Sequence, residues 1–255
     1  MKPNKLITFL KHKKLFILSP HFDDAVLSAG MLLYYLRNSA GCTVINIFTL
    51  AHNGPYTLSA LRYLNESGYS NAVKLYRDRK IEDKKALTML KVKHLNLALT
   101  DALFRQKRTK QPFLAKYFAE FNSVYPTYRW HIVKKIDPDD SAISELESKL
   151  KKIIPKDALV LAPFGLGNHA DHLITHRISR RLFINTIYYV DFPYSIRLRK
   201  SGQPLPGFTK HELTVDLPIK SKLIQQYTSQ INGLFNGNRI PRHHETFYVP
   251  EKFNQ

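Results

Sequence analysis

The stretch from Leu15 to Gly30 constrains this chain more than any other. Leu15-Phe16-Ile17-Leu18 is an apolar run that reads as a short buried strand, and Pro20 stops it. A helical pattern follows from about Ala25, with Val26, Leu27 and Met31 on one side. His21, Asp23 and Asp24 therefore fall in a turn where a strand hands over to a helix. Thr43 to Thr49, rich in β-branched residues, is the next strand. Strand, helix, strand over this distance is a βαβ unit with parallel strands. The turn then lies at the carboxyl end of the first strand, where open α/β sheets bind ligands.

The remaining pattern extends the same architecture. Leu58 to Leu90 reads as helix with a break at Asn65–Gly68, and Lys93 to Leu99 as a third strand ending at Thr100-Asp101. Residues 102–140 are rich in Lys, Arg and aromatics, with breaks at Pro112 and Pro126, and read as an insertion over one edge of the sheet. An amphipathic helix from Ser141 to Ile153 precedes a buried strand, Ala158 to Ala162, and a helix from about Asp171 to Leu182. Ile187 to Asp191 is a further strand, Thr209 to Leu217 an edge strand and Ser221 to Gly233 a helix, and the end reads as irregular. No repeat or Gly/Ser-rich linker interrupts the pattern, so one domain over 1–255 is expected.

Cys42 is the only cysteine, so any metal must be held by His, Asp or Glu. The formal net charge of +19 favours an anionic partner: nucleic acid, an acidic membrane surface or a phosphorylated substrate. A generally solvated surface accounts for it equally. Near the start, Lys11-His12-Lys13-Lys14 splits two short apolar runs, which fits neither a signal peptide nor a membrane span. A cytoplasmic protein is expected.

Four polar clusters fall at carboxyl ends of the expected parallel strands: His21-Asp23-Asp24, His52-Asn53, Asp101 and His169-Asp171-His172. Histidine and carboxylate without thiolate suit a catalytic zinc with three protein ligands, and ferrous iron accepts the same types. His21, Asp24 and one histidine of the second cluster form such a set. Asp23 is then the carboxylate free to take a proton from water, and the other histidine a partner for an oxyanion or a leaving amine. The competing reading is structural. An Asp pair before a helix also serves as an N-cap, and a histidine near a helix start as a hydrogen-bonding residue.

Ser19-Pro20-His21-Phe22-Asp23-Asp24 resembles the first motif of the PIG-L/LmbE family of zinc-dependent N-deacetylases, usually Pro-His-Pro-Asp-Asp-Glu. Asn168-His169-Ala170-Asp171-His172 resembles its second, His-Pro-Asp-His. Arg79–Asp83, Leu97–Ala102 and Tyr189–Tyr194 are similar to three further segments, in order. Phe22, Ala25 and Ala170 depart from the motifs but remove no ligand. The resemblance implies a Rossmann-like three-layer α/β sandwich with a mostly parallel sheet, and hydrolysis of the acetamido group of an N-acetylglucosamine-type sugar. It implies His21, Asp24 and His172 as metal ligands and Asp23, His169 and Asp171 as catalytic residues. Arg79, Asp101 and Asn168 are the implied substrate contacts.

Lys and Arg at 11–14, 77–80 and 105–110 add the expectation of an anionic glycoconjugate, steered by Arg105, Lys107, Arg108 and Lys110 at the mouth of the site. Peripheral contact with an acidic membrane surface is compatible with this charge. The alternative is a nucleic-acid- or glycan-binding protein on a catalytically silent scaffold, using the basic and aromatic residues from Phe104 to Trp130. Retention of every expected catalytic residue weighs against nucleic acid.

Overall fold

The structure is a computed structural model that describes residues 5–39, 41–126, 129–133, 135–199, 205–235 and 239–253; the side chains of Arg129 and Trp130 are outside that description. The strands are β1 (Lys14–Ser19), β2 (Gly41–Leu50), β3 (Lys93–Thr100), β4 (Leu159–Pro163), β5 (Asn185–Tyr189), β6 (Phe208–Thr214) and β7 (His244–Pro250). They form one sheet in the order β3-β2-β1-β4-β5-β7-β6. The first five run parallel; β7 is antiparallel to both β5 and β6.

β1 is central because it is apolar on both faces. Leu15 and Ile17 pack with Val26, Leu33 and Leu36 of α2 (Asp24–Leu36). Phe16 and Leu18 pack on the other side with Leu146 and Leu150 of α7 (Ala142–Ile153) and Ile174 and Ile178 of α8 (Ala170–Leu182). Three layers result, as expected. The chain walks outward from β1 to β3, then crosses back to place β4 on the other side of β1. At that reversal the loops after β1 and β4 open side by side, the usual place for a ligand in such a sheet.

The helical stretch after β2 splits into α3 (Leu58–Glu66) and α4 (Ala72–Met89). The short helices are α1 (Lys5–Leu10), α5 (Pro112–Ala115), α6 (Arg129–Ile132) and α9 (Tyr194–Arg197). Three sequence expectations differ from the structure. The helix expected over Ser221–Gly233 is two, α10 (Leu217–Ile224) and α11 (Thr228–Leu234), broken where Tyr227 turns inward and bonds Asp83 Oδ1 at 2.9 Å. The irregular end contains β7, buried on both faces. It carries Glu245, whose carboxylate accepts from the backbone of Met31 and Leu32 and pairs with buried Lys220. The insertion packs Val124, Tyr125 and Ile132 against Ala170 at the start of α8, over the carboxyl end of the sheet instead of along its edge.

Candidate active site

The turn after β1 is tied by its own side chains. Ser19 Oγ donates to the His21 carbonyl at 2.5 Å and accepts from the Ala25 N–H at 3.0 Å, while the His21 N–H donates to Asp24 Oδ2 at 2.8 Å. Asp23 stands at the N-cap position of α2 but makes no capping bond. Its Oδ1 meets Arg79 Nη2 at 3.2 Å instead, on the inward face of α4. Capping therefore does not account for Asp23.

The two histidine clusters converge. The His21 ring lies 5.0 Å from that of His169 and 5.4 Å from that of His172. Asp24 Oδ2 sits between His21 Nδ1 at 3.1 Å and His172 Nε2 at 3.2 Å. Each of these histidines turns its other nitrogen to a second carboxylate: His21 Nε2 to Asp171 at 3.0 Å and Asp101 at 3.3 Å, His172 Nδ1 to Asp191 at 2.6 Å. Donor atoms of His21, Asp24 and His172 lie within 4.8 Å of one another. A second group, His21, His169 and Asp171, meets the same spacing. There, however, Asp171 is already held by the Ala102 N–H at 3.0 Å and by Arg105.

The charges show what the first group wants between its atoms. Burial opposes protonation of His21, yet Asp101, Asp171 and Asp24 raise its pKa to about 10. His172 is likewise raised well above its ordinary value against burial, by Asp24 and Asp191. Burial would raise Asp24, but the two histidines hold it well below the usual carboxylate range. The site thus favours positive charge at its centre. Two imidazoles with carboxylate-bound second nitrogens and one carboxylate are a donor set that fits a divalent cation, and the outer carboxylates set the ring orientation and basicity such ligands need.

Asp23 and His169 differ from the ligand group. Burial raises the Asp23 pKa, with Asp24 adding to the rise and Arg79 opposing it. His169 falls to about 4 through burial and the neighbouring His21 and His172, so it is neutral near pH 7. It caps α8, with Nδ1 accepting from the Asp171 N–H at 3.3 Å. That partner assigns the ring proton to Nε2, leaving a donor.

These groups open into a cavity of about 390 Å³ whose walls include Tyr63, Leu103, Ile132, Phe192, Tyr194 and Arg197. Gly167 is forced by Tyr194: a Cβ there would lie 2.6 Å from its ring, and φ is +94°. Arg79 lines the cavity but is fixed on Asp23 and on Tyr63 Oη at 3.1 Å. Asp101 also lines it, while accepting from Tyr76 Oη at 2.5 Å and the Leu103 N–H at 2.9 Å. Asn168, expected as a substrate contact, is exposed and outside the cavity lining. Asp171, expected as catalytic, is fully buried beneath His21, and His52 stands apart, hydrogen-bonded to Gln106.

Sequence reasoning missed Asp191 and misplaced Arg105. The first had a signal, an acid ending a strand just before Pro193. The second, expected at the mouth as a steering charge, is 5% exposed and paired with Asp171 and Asp140. Lys107 is tied to Asp139 at 3.2 Å. Among the described residues, the cation in the cavity wall besides Arg79 is Arg197, on α9.

A family model described as PIG-L, GlcNAc-PI de-N-acetylase, matches residues 16–183, which contain both histidine motifs. The chain belongs to the PIG-L family. Solved structures agree on the fold. A deacetylase–bog complex from the teicoplanin biosynthesis pathway is 23% identical, with a TM-score of 0.70 over 92% of this chain and 97% of its own. The zinc-inhibited form of a teicoplanin deacetylase is 20% identical, with the same TM-score and coverage. The N,N'-diacetylchitobiose deacetylase from Pyrococcus horikoshii, 13% identical, gives 0.52 over 95% and 86%. No curated protein matches the chain in sequence.

Proposed function

We propose that this PIG-L chain is a metal-dependent hydrolase that removes the N-acetyl group from an N-acetylglucosamine-type sugar carried in an anionic glycoconjugate. The observation that carries the reading is the meeting of His21, Asp24 and His172 around one point, with Asp23 beside them and outside the ligand set. Zinc is the metal the donor types favour, with ferrous iron as the alternative. A divalent cation there supplies Lewis-acid polarisation of an amide carbonyl and lets water attack near neutral pH.

The chain's own groups do the rest. Asp23, held by Arg79, takes a proton from the attacking water. Neutral His169 donates from Nε2 to the amide oxygen as negative charge develops there. The proton on Asp23 passes to the departing nitrogen, so the products are acetate and a free amine. Asp171 and Asp191 act as positioning residues through His21 and His172. Cavity size suits a sugar, and the apolar wall of Leu103, Ile132 and Phe192 suits the methyl group or an attached aglycone. The anionic part of the reading rests on Arg197 and the charge of +19, no longer on residues 105–110. The family description, with its phosphoinositide-linked N-acetylglucosamine, supports the same choice.

The test is acetate release from a panel of neutral and phosphate-linked N-acetylglucosamine compounds by protein loaded with zinc or ferrous iron. Zinc should be read at one equivalent and in excess, because a teicoplanin deacetylase has a zinc-inhibited form. Acetate release that follows metal content, with phosphate-linked compounds preferred, is expected. A protein that binds metal and releases no acetate from any member is a binding protein on this scaffold.

A further inference from the structure

Among the described residues, every exposed Phe or Tyr side chain lies between residues 113 and 121. Phe113 is 73% exposed, Tyr117 59%, Phe118 57% and Phe121 42%. Exposed large apolar residues elsewhere are aliphatic and scattered along the chain, such as Val73, Ile81 and Ile184. The four rings form a built surface. Phe113 and Tyr117 pack edge to face with centroids 5.6 Å apart, Phe118 and Phe121 at 6.4 Å, and buried Ala115 and Ala119 fasten the segment beneath them. Glu120 Oε1 accepts the Leu58 N–H at 3.1 Å. That contact brings the start of α3 alongside, adding Leu58 and Leu61, 62% and 42% exposed.

Apart from Glu120, whose carboxylate is bound by the Leu58 N–H, the charge of this segment is positive. From Ala102 to Ala119 there is no acidic residue, and Arg108, Lys110 and Lys116 are exposed. Lys116 Nζ stands 6.0 Å from the Tyr117 ring. A second copy of the chain would bring the same cations against themselves. A single-stranded nucleic acid is the other polyanion that such rings and cations can meet, and the oligonucleotide arm of the test reads it. An apolar knob of aromatics ringed by Lys and Arg matches a bilayer interface with anionic headgroups. Neither component anchors stably alone there, and the two together do.

We propose that residues 108–121, with Leu58 and Leu61, dock the protein on the surface of an anionic lipid bilayer. The proposal stands apart from the deacetylase reading, because vesicle binding needs no turnover. The patch also lies close to the cavity. Leu58 begins α3, and Tyr63 and Glu66 near its end line the cavity, roughly 8–12 Å along the helix. Docking would therefore bring the cavity near the membrane surface.

The test is co-sedimentation of the full chain with phosphatidylcholine vesicles, with and without about 30 mol % phosphatidylserine. Wild type should sediment with the anionic vesicles and stay in solution with the neutral ones. Phe113→Ser/Phe118→Ser should lower partition at least about tenfold with an unchanged melting transition, since both rings are already exposed. Arg108→Gln/Lys110→Gln/Lys116→Gln should lower it roughly fivefold per charge, and added salt should do the same to wild type. Equal binding to both vesicle types, or variants that bind like wild type, would overturn the proposal. So would stronger binding to a single-stranded oligonucleotide that the same variants abolish.

Discussion

The carboxyl end of the sheet and the insertion above it hold the same kinds of residue and use them in opposite ways. Around His21 and His172 the carboxylates that meet the rings are buried and committed: Asp24 to both rings, Asp171 to His21 and Arg105, Asp191 to His172 and the Leu166 N–H. At residues 108–121, Arg108, Lys110 and Lys116 stand in solvent beside bare aromatic rings. The first arrangement fixes atoms to fractions of an ångström, as chemistry on a bound group requires. The second leaves surface free to meet something large and soft. Arg105 joins them, since it sits in the insertion and holds Asp171 from below. Basic residues three positions apart thus have unrelated roles, decided by which carboxylates the fold puts within reach.

The sharpest break of this comparison is at the centre. Asp24→Ala should remove the oxygen shared by both histidines and with it metal binding and acetate release, leaving the melting transition in place. Metal content after dialysis against limiting metal, read with turnover, checks it. Phe113→Ser should change neither. If Asp24→Ala keeps metal, the His21, His169 and Asp171 group is the true ligand set.

Next is Asp23, buried beside the proposed ligands yet outside them. Asp23→Asn keeps the shape and a contact for Arg79 but cannot take a proton. Turnover should fall by roughly 10²–10⁴ with metal retained. Loss of metal together with activity would make Asp23 a ligand.

Arg105 and Arg108 give the comparison in miniature. Arg105→Gln strands Asp171 and Asp140 in the interior without their cation, which costs about 3–5 kcal/mol for a broken buried pair. Arg108→Gln should stay within about 0.5 kcal/mol, as surface substitutions do. Denaturant unfolding of the two variants reads the difference, and equal values would dissolve the distinction between the regions. Asp191→Asn, which weakens the anchor of His172, should lower metal affinity about 10–100-fold.

What was legible in the sequence follows the same divide. The parallel strands showed because β1, β2 and β4 are apolar runs stopped by Pro or Gly, and the two histidine clusters showed because their motifs sit at strand ends. β7 did not show. Glu245 and Thr246 interrupt its apolar pattern, and only Lys220, distant in sequence, makes a buried Glu245 intelligible. Arg105 was misread because a lone arginine in a basic run looks solvated until Asp140 and Asp171 are brought to it. Asn168 was carried by its motif, yet the turn through Gly165 and Gly167 exposes it. Local pattern reports what a segment can bury, whereas pairing across more than a few residues is set by topology.

The last prediction concerns a carboxyl that belongs to neither region. Asp83, on α4 behind Arg79, is 1% exposed and bonded only to neutral partners, Tyr227 Oη at 2.9 Å and Asn46 Nδ2 at 2.7 Å. Burial raises its pKa to about 8, against the help of those two bonds. A group raised in the folded state stabilises it fully below the unfolded value, near 3.9, and that contribution is lost as pH rises through about 8. Asp83→Asn removes the titration and keeps an acceptor for Tyr227, and its amide can donate to Asn46 Oδ1, which is buried without a partner, once the Asn46 amide turns over from the Nδ2 contact. The melting temperature of wild type relative to Asp83→Asn should therefore fall steadily from pH 5 to 8.5, by about 2–4 °C for each kcal/mol lost. A constant difference across that range would mean that the Asp83 carboxyl is already ionised at pH 5 and accommodated as an anion.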